Sequence, residues 1–175
     1  GTPRGDQFAI PDAQTGASAT ALKGGGFVLT WYNYEPWTSS HDVYVQHYNS
    51  AGVAIDSAVR MSTHVDNRIQ YGPMVSALGD GYIVTWHSQT ADNSGYGIFV
   101  HKYAADGTSL SADIVVNTTT AGEQMYPIVT ELAGGAFVVT WETQTYSSMN
   151  QSYDVYAQVF DAAGNLYGAT AAGGA

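Results

Sequence analysis

The chain has 175 residues, with no cysteine, only five lysines and arginines together, and five prolines. Without cysteine, disulfides, thiolate metal sites and cysteine nucleophiles are excluded. Five basic residues against fifteen acidic ones give a formal net charge of −10. Neutralising phosphates needs a basic patch, so no nucleic-acid partner is expected. The same balance speaks against an anionic membrane surface. No apolar run approaches the roughly 18 residues of a membrane span, so no membrane insertion is expected either.

Charged residues make up only 11% of the chain, while 45% is hydrophobic, which excludes a disordered tail. Polarity comes instead from Ser, Thr, Asn, Gln and Gly. With 13 tyrosines, 20 glycines and many Val and Thr, the composition favours strands and tight turns. The length suits a single domain over 1–175. The sequence begins GTPRG and ends AAGGA, and it reads as a processed or excised piece of something longer.

A repeat of 55 residues organises the chain. FVLTW (27–31) returns as YIVTW (82–86) and FVVTW (137–141). VYVQHYNSAG (43–52), IFVHKYAADG (98–107) and VYAQVFDAAG (155–164) form a second set, and SATAL (18–22), MVSAL (74–78) and IVTEL (128–132) a third. Gln14, Gln70 and Gln124 precede the third set, and Pro73 and Pro127 follow the last two, where the first unit has Ala17. A fourth segment occurs as SAVRMS (57–62) and ADIVVNT (112–118). Apolar residues alternate along these segments and fall on both faces, as expected of strands in sheets packed on both sides.

The expected fold is all-β, with three four-stranded propeller-like blades. Blade 1 spans about 13–62, blade 2 about 70–118 and blade 3 about 124–168. The third unit stops after its third strand, and DQFAIPD (6–12) is expected to supply the outer strand that closes it. Propellers hold four to eight blades. Three would be half of a six-bladed ring, completed by a homodimer or by a longer chain. A β-prism of three sheets, closed within one monomer, is the alternative. The pattern GGxFVVTW, VYAQxFDAAG and VNTTTxxxQxxP resembles the propeller-type repeats of large secreted bacterial proteins of haemolysin and adhesin type. That resemblance implies a propeller-like fold and a secreted or cell-surface location, and it carries over no catalytic residues.

Strand parity places YNYEPWTSSH (32–41), HSQTADNSGYG (87–97) and ETQTYSSMNQSYD (142–154) at one end as long polar loops, with the inter-blade links. Binding residues concentrate on loops held by a rigid scaffold. Tyr34, Glu35 and Trp37 form a candidate sugar platform, an aromatic face beside a carboxylate. Gln14, Gln70 and Gln124, with Tyr71, Tyr96, Tyr126 and Tyr153, are the other candidate ligand contacts. The glutamines read first as buried side chains satisfying loop backbone, ahead of ligand contact. Trp31, Trp86 and Trp141, equivalent in every blade, read as core.

Asp42, Asp92 and Asp154 are weak oxygen donors for Ca²⁺, and no other cofactor is expected. No DxDxDG, GGxGxDxU, HExxH or GxSxG motif occurs. Hydrolysis needs a spaced carboxylate pair, and no spacing marks one among Glu35, Glu142, Asp42 and Asp154. The expectation is therefore a secreted, non-catalytic module that binds a glycan or another extracellular ligand, not an enzyme. A structural spacer and a hydrolase half-site completed by dimerisation are the alternatives.

Overall fold

The computed structural model describes residues 7–10, 13–61, 69–89, 95–146 and 151–167. Each repeat folds as its own antiparallel meander. The first sheet runs β1 (Thr15–Ala21), β2 (Phe27–Glu35), β3 (Ser40–Tyr48) and β4 (Val59–Arg60). The second runs β5 (Gln70–Leu78), β6 (Gly81–Gln89), β7 (Tyr96–Tyr103) and β8 (Ile114–Val115). The third holds β9 (Glu123–Glu131), β10 (Phe137–Tyr146) and β11 (Gln151–Phe160), with no fourth strand among the described residues. Residues 7–10 form no strand, and the Phe8 ring lies against Tyr48 of the first sheet, centroids 6.0 Å apart.

The sheets stack in sequence order, as the two-faced apolar pattern requires. Val28, Val43 and Val45 of the first sheet pack on Val84, Trp86 and Phe99 of the second. Its opposite face, with Ile83, Ile98 and Val100, packs on Val129, Phe137 and Val139 of the third. These two clusters hold the buried core apart from Trp31 and Tyr48 of the first sheet. A closed prism needs a third cluster between the first and third sheets, and none occurs among the described residues. The prism reading is thereby corrected in favour of an open stack of propeller-like blades. The first strands lie side by side, β1 against β5 and β5 against β9. Side chains lace them together: Val75 N–H donates to Ser18 Oγ (3.2 Å), Ala77 N–H to Thr20 Oγ1 (3.1 Å), and Gly79 N–H to Glu131 Oε1 (2.7 Å).

The repeated Thr–Trp pair has a structural explanation. Thr85 is fully buried, and its hydroxyl donates to the Phe99 carbonyl at 2.8 Å, so its burial leaves no polar group unpaired. Trp31, Trp86 and Trp141 are 1%, 2% and 6% exposed. Each stacks on the aromatic facing it across the hairpin, Tyr44, Phe99 or Tyr156, with ring centroids 6.0 Å apart.

The polar segments after each Trp differ from expectation. They continue the strands instead of leaving them as loops: β2 and β3 stay paired to Glu35 and Ser40, and β10 and β11 to Tyr146 and Gln151. The alternation of side chains carries on beyond the Trp, so the ladder carries on too. The end of the stack is built from extended hairpins, and the turn of the first is only residues 36–39.

Candidate functional site

Each first strand carries a β-bulge at the same place, two residues after its glutamine. Gly16–Ala17, Gly72–Pro73 and Tyr126–Pro127 each stand where the register shifts opposite Trp31, Trp86 and Trp141. The first bulge residue is left-handed in all three, with φ of 68° at Gly16, 57° at Gly72 and 54° at Tyr126. Glycine suits that conformation, since a Cβ is strained there. Beside the bulges, Tyr32 of the first sheet, Tyr71 and His87 of the second and Met125 of the third lie at the junction of the three first strands.

Rings from all three sheets meet there. Tyr71 is the centre: its ring lies 5.2 Å from Tyr32, 4.6 Å from His41, 5.8 Å from His87 and 6.1 Å from Tyr96. Tyr126 of the third sheet meets His87 edge to face at 5.8 Å. Tyr32, Tyr71, Gly72, His87, Tyr96, Met125 and Tyr126 line a solvent-open cleft of about 320 Å³. That is within the lower range for small-ligand sites, about 300–1,000 Å³.

The cleft is apolar with a few unsatisfied polar atoms. His87 is 4% exposed, and burial pushes its pKa down from 6.5 to about 4, so the imidazole is neutral at neutral pH. The buried Nδ1 atoms of His87 and His41 make no hydrogen bond with the protein. Burial, foremost, raises the Tyr71 and Tyr96 hydroxyls; Tyr32 adds to it at Tyr71, and Tyr71 and Glu123 add to it at Tyr96. The phenols therefore stay protonated and available as donors. Glu123 lies beside the cleft but is committed, its Oε2 accepting the Tyr96 N–H at 2.8 Å.

Of the residues singled out in the sequence, Tyr71, Tyr96 and Tyr126 come together in the cleft, and Tyr34 joins its margin through His41, 5.2 Å away. Two of the glutamines bond to backbone groups beside it. Gln14 Oε1 accepts the Tyr34 N–H at 2.9 Å. Gln124 is 1% exposed and donates to the carbonyls of Ala121 and Gly122, both at 2.9 Å. Gln70 is equally buried, with Oε1 unbonded.

The expected platform of Tyr34, Glu35 and Trp37 does not assemble. Glu35 accepts the Tyr44 hydroxyl at 2.5 Å, and Trp37 stands 95% exposed on the hairpin turn. Tyr153 lies on β11, where its hydroxyl accepts from Gln144 and Gln151. Among the calcium candidates, Asp42 is buried and pairs with Arg60 at 3.0 Å, which leaves it unsuited to an ion. Asp154 is exposed on β11, and Asp92 lies outside the described residues. Among the described residues no group of three or more His, Asp or Glu is placed to hold a metal.

Sequence reasoning singled out neither Tyr32 and His87, which line the cleft, nor His41, whose ring lies against Tyr32 and Tyr71. Tyr32 and His87 carried a signal: they follow the repeated Trp, and with Glu142 they mark where the three units stop agreeing.

No family model and no curated protein matches the sequence. The fold does have solved counterparts. An α-L-arabinofuranosidase from Fusarium graminearum, in complex with an iminosugar inhibitor, superposes with a TM-score of 0.62 at 12% identity, over 86% of this chain and 48% of its own. A Penicillium chrysogenum α-L-arabinanase complexed with arabinobiose gives 0.60 at 15%, over 82% and 45%. An endo-arabinase from Bacteroides thetaiotaomicron gives 0.55 at 15%, over 81% and 54%. The chain thus spans about half the length of these β-propeller glycoside hydrolases, and at such identities the likeness establishes a shared propeller-type fold.

The comparison corrects two expectations. A non-catalytic binding module, and a chain that is no enzyme, were expected. The matched structures are instead glycoside hydrolases, and of the readings drawn from the sequence they favour the hydrolase half-site.

Proposed function

We propose that this chain forms three blades of a carbohydrate-active propeller of the glycoside hydrolase type, and that the tyrosine-lined cleft holds a sugar of its substrate. The observation that carries the reading is the convergence of rings from three sheets on one open cleft, at the end where the first strands bulge. Flat aromatic faces suit the apolar faces of sugar rings. The neutral His87 imidazole and the protonated phenols suit sugar hydroxyls.

Hydrolysis needs two carboxyl groups about 5–9.5 Å apart. Glu142 is this chain's contribution to such a pair. It occupies the position after the third Trp, where Tyr32 and His87 line the cleft in the other sheets, and it pairs across the ladder with the cleft residue Met125. It is exposed and faces the side of the third sheet on which a further blade would stack. The second carboxylate belongs to blades beyond these three.

The open third sheet supports that completion. Val155 is 76% exposed, whereas its counterparts Val43 and Ile98 are 1% and 0% exposed beneath a neighbouring sheet. For the chain by itself, a second copy placed head to tail supplies the missing face. An extracellular setting, where polymeric sugars are met, fits the same reading.

The test is product release from arabino- and xylo-oligosaccharides by the full chain, with Glu142→Gln as control. Hydrolysis that Glu142→Gln abolishes supports the reading. Hydrolysis unaffected by that substitution, or none with any of these substrates at high protein concentration, overturns it.

A further inference from the structure

We infer that Tyr126 is the cleft's sugar-stacking and specificity-determining residue, set there by replacing the bulge glycine of the other two repeats. The assignment rests on the reading of the cleft as a sugar site, and it starts from an exchange between two positions. In the first sheet the bulge residue is Gly16, and a Cβ there would meet Tyr32 Cε1 at 2.3 Å. In the second it is Gly72, where a Cβ would meet His87 Cε1 at 3.1 Å. In both, the residue after the Trp lays a ring over the glycine. In the third sheet the residue after the Trp is Glu142, which is not a ring, and the bulge residue is Tyr126. The aromatic group has moved from the middle strand to the first strand.

That exchange is costly for the backbone. Tyr126 keeps the left-handed φ of 54° that glycine adopts without strain, and residues with a large side chain rarely do so. Folding alone gives no return for it, because the ring is 61% exposed and belongs to neither core cluster. What the ring does meet is the His87 ring, edge to face, at the cleft. A strained, exposed aromatic held over a buried histidine with an unbonded Nδ1 is an arrangement for a ligand with one apolar face and one hydroxyl edge. A pyranose or furanose ring has that form: its C–H face lies on Tyr126 and a hydroxyl donates to His87 Nδ1.

Calorimetric titration of the full chain with arabinobiose, arabinotriose and xylotriose, alongside Tyr126→Phe and Tyr126→Gly, tests this. Tyr126→Phe, which keeps the face, should bind within about threefold of the parent. Tyr126→Gly should bind about tenfold or more weakly. Thermal melting supplies the readout that a merely structural role would move the other way: relief of the left-handed strain should leave the midpoint of Tyr126→Gly equal to or above the parent's. Binding by the parent that survives Tyr126→Gly overturns the assignment and leaves the cleft reading standing. Loss of binding together with a lowered midpoint also overturns it, since Tyr126 would then be structural. No binding of any of the three sugars by the parent overturns both.

Discussion

Tyr126 and His87 belong to different sheets, yet their rings meet edge to face with centroids 5.8 Å apart and an interplanar angle of 67°. Tyr126 reaches that contact from a backbone conformation that its two repeat counterparts leave to glycine. The pair joins the second and third blades at the open end of the stack, and the chemistry proposed for this chain is centred on it.

His87 makes the fold sensitive to acid. Burial holds its pKa at about 4, against 6.5 when unfolded. Between those values the unfolded chain carries a proton that the folded chain rejects. This contribution to stability is complete above pH 6.5 and is lost as pH falls to about 4, by about 3 kcal/mol at most. Urea unfolding at pH 7 and pH 4.5 should show the loss in the parent, and a smaller loss in His87→Gln. Equal losses in both would place the acid sensitivity elsewhere.

The bulge glycines are tied to the rings above them. Gly16→Ala should destabilise by about 1–3 kcal/mol, because the left-handed backbone is strained and the new Cβ meets the Tyr32 ring. Gly16→Ala combined with Tyr32→Ala should recover part of that loss relative to the sum of the single variants. Denaturant titration of the four proteins measures the coupling. Strict additivity would mean that the ring does not constrain the bulge.

The repeated tryptophans and Trp37 should behave oppositely. Trp86→Ala removes a side chain 2% exposed between two sheets and should cost about 3–5 kcal/mol. Trp37→Ala alters a residue 95% exposed and should stay within about 0.5 kcal/mol of the parent, with sugar affinity unchanged. A Trp37→Ala variant that lost sugar binding would return the site to the hairpin turn.

The exposed face of the third sheet predicts self-association. Light scattering coupled to gel filtration should give twice the chain mass at high concentration, and Val155→Asp, an exposed position on β11, should return the monomer. A monomer throughout would contradict completion of the ring by a second copy.

The sequence made the architecture legible because propeller packing is periodic. Equivalent residues such as Val28 and Ile83, or Trp86 and Trp141, meet equivalent neighbours, so one repeat explains the next. The site was harder to read, because it lies where the repeat is broken. Tyr71, Tyr96 and Tyr126 were identified as polar aromatics at one end of the stack, without the reason they converge. That reason is the bulge after each glutamine, and its trace was the spacing Gln70–Gly72–Pro73, repeated with alterations in the other two units. Trp37 was overvalued: a lone tryptophan in a polar stretch suggests a platform, but a four-residue hairpin turn gives it nothing to lie against. His41 left no periodic signal of its own, and His87 was marked only by its place after the repeated Trp; the depth of both comes from rings supplied by a neighbouring sheet.

The central claim is that sugar binds in the cleft between Tyr126 and His87, and side-chain NMR of the full chain during titration with arabinobiose tests it most directly. The account predicts saturable shifts of the His87 imidazole and Tyr126 ring resonances at a common affinity, with the Trp37 indole unmoved. Saturable shifts centred on Trp37, or an unmoved His87 imidazole at millimolar sugar, would contradict it.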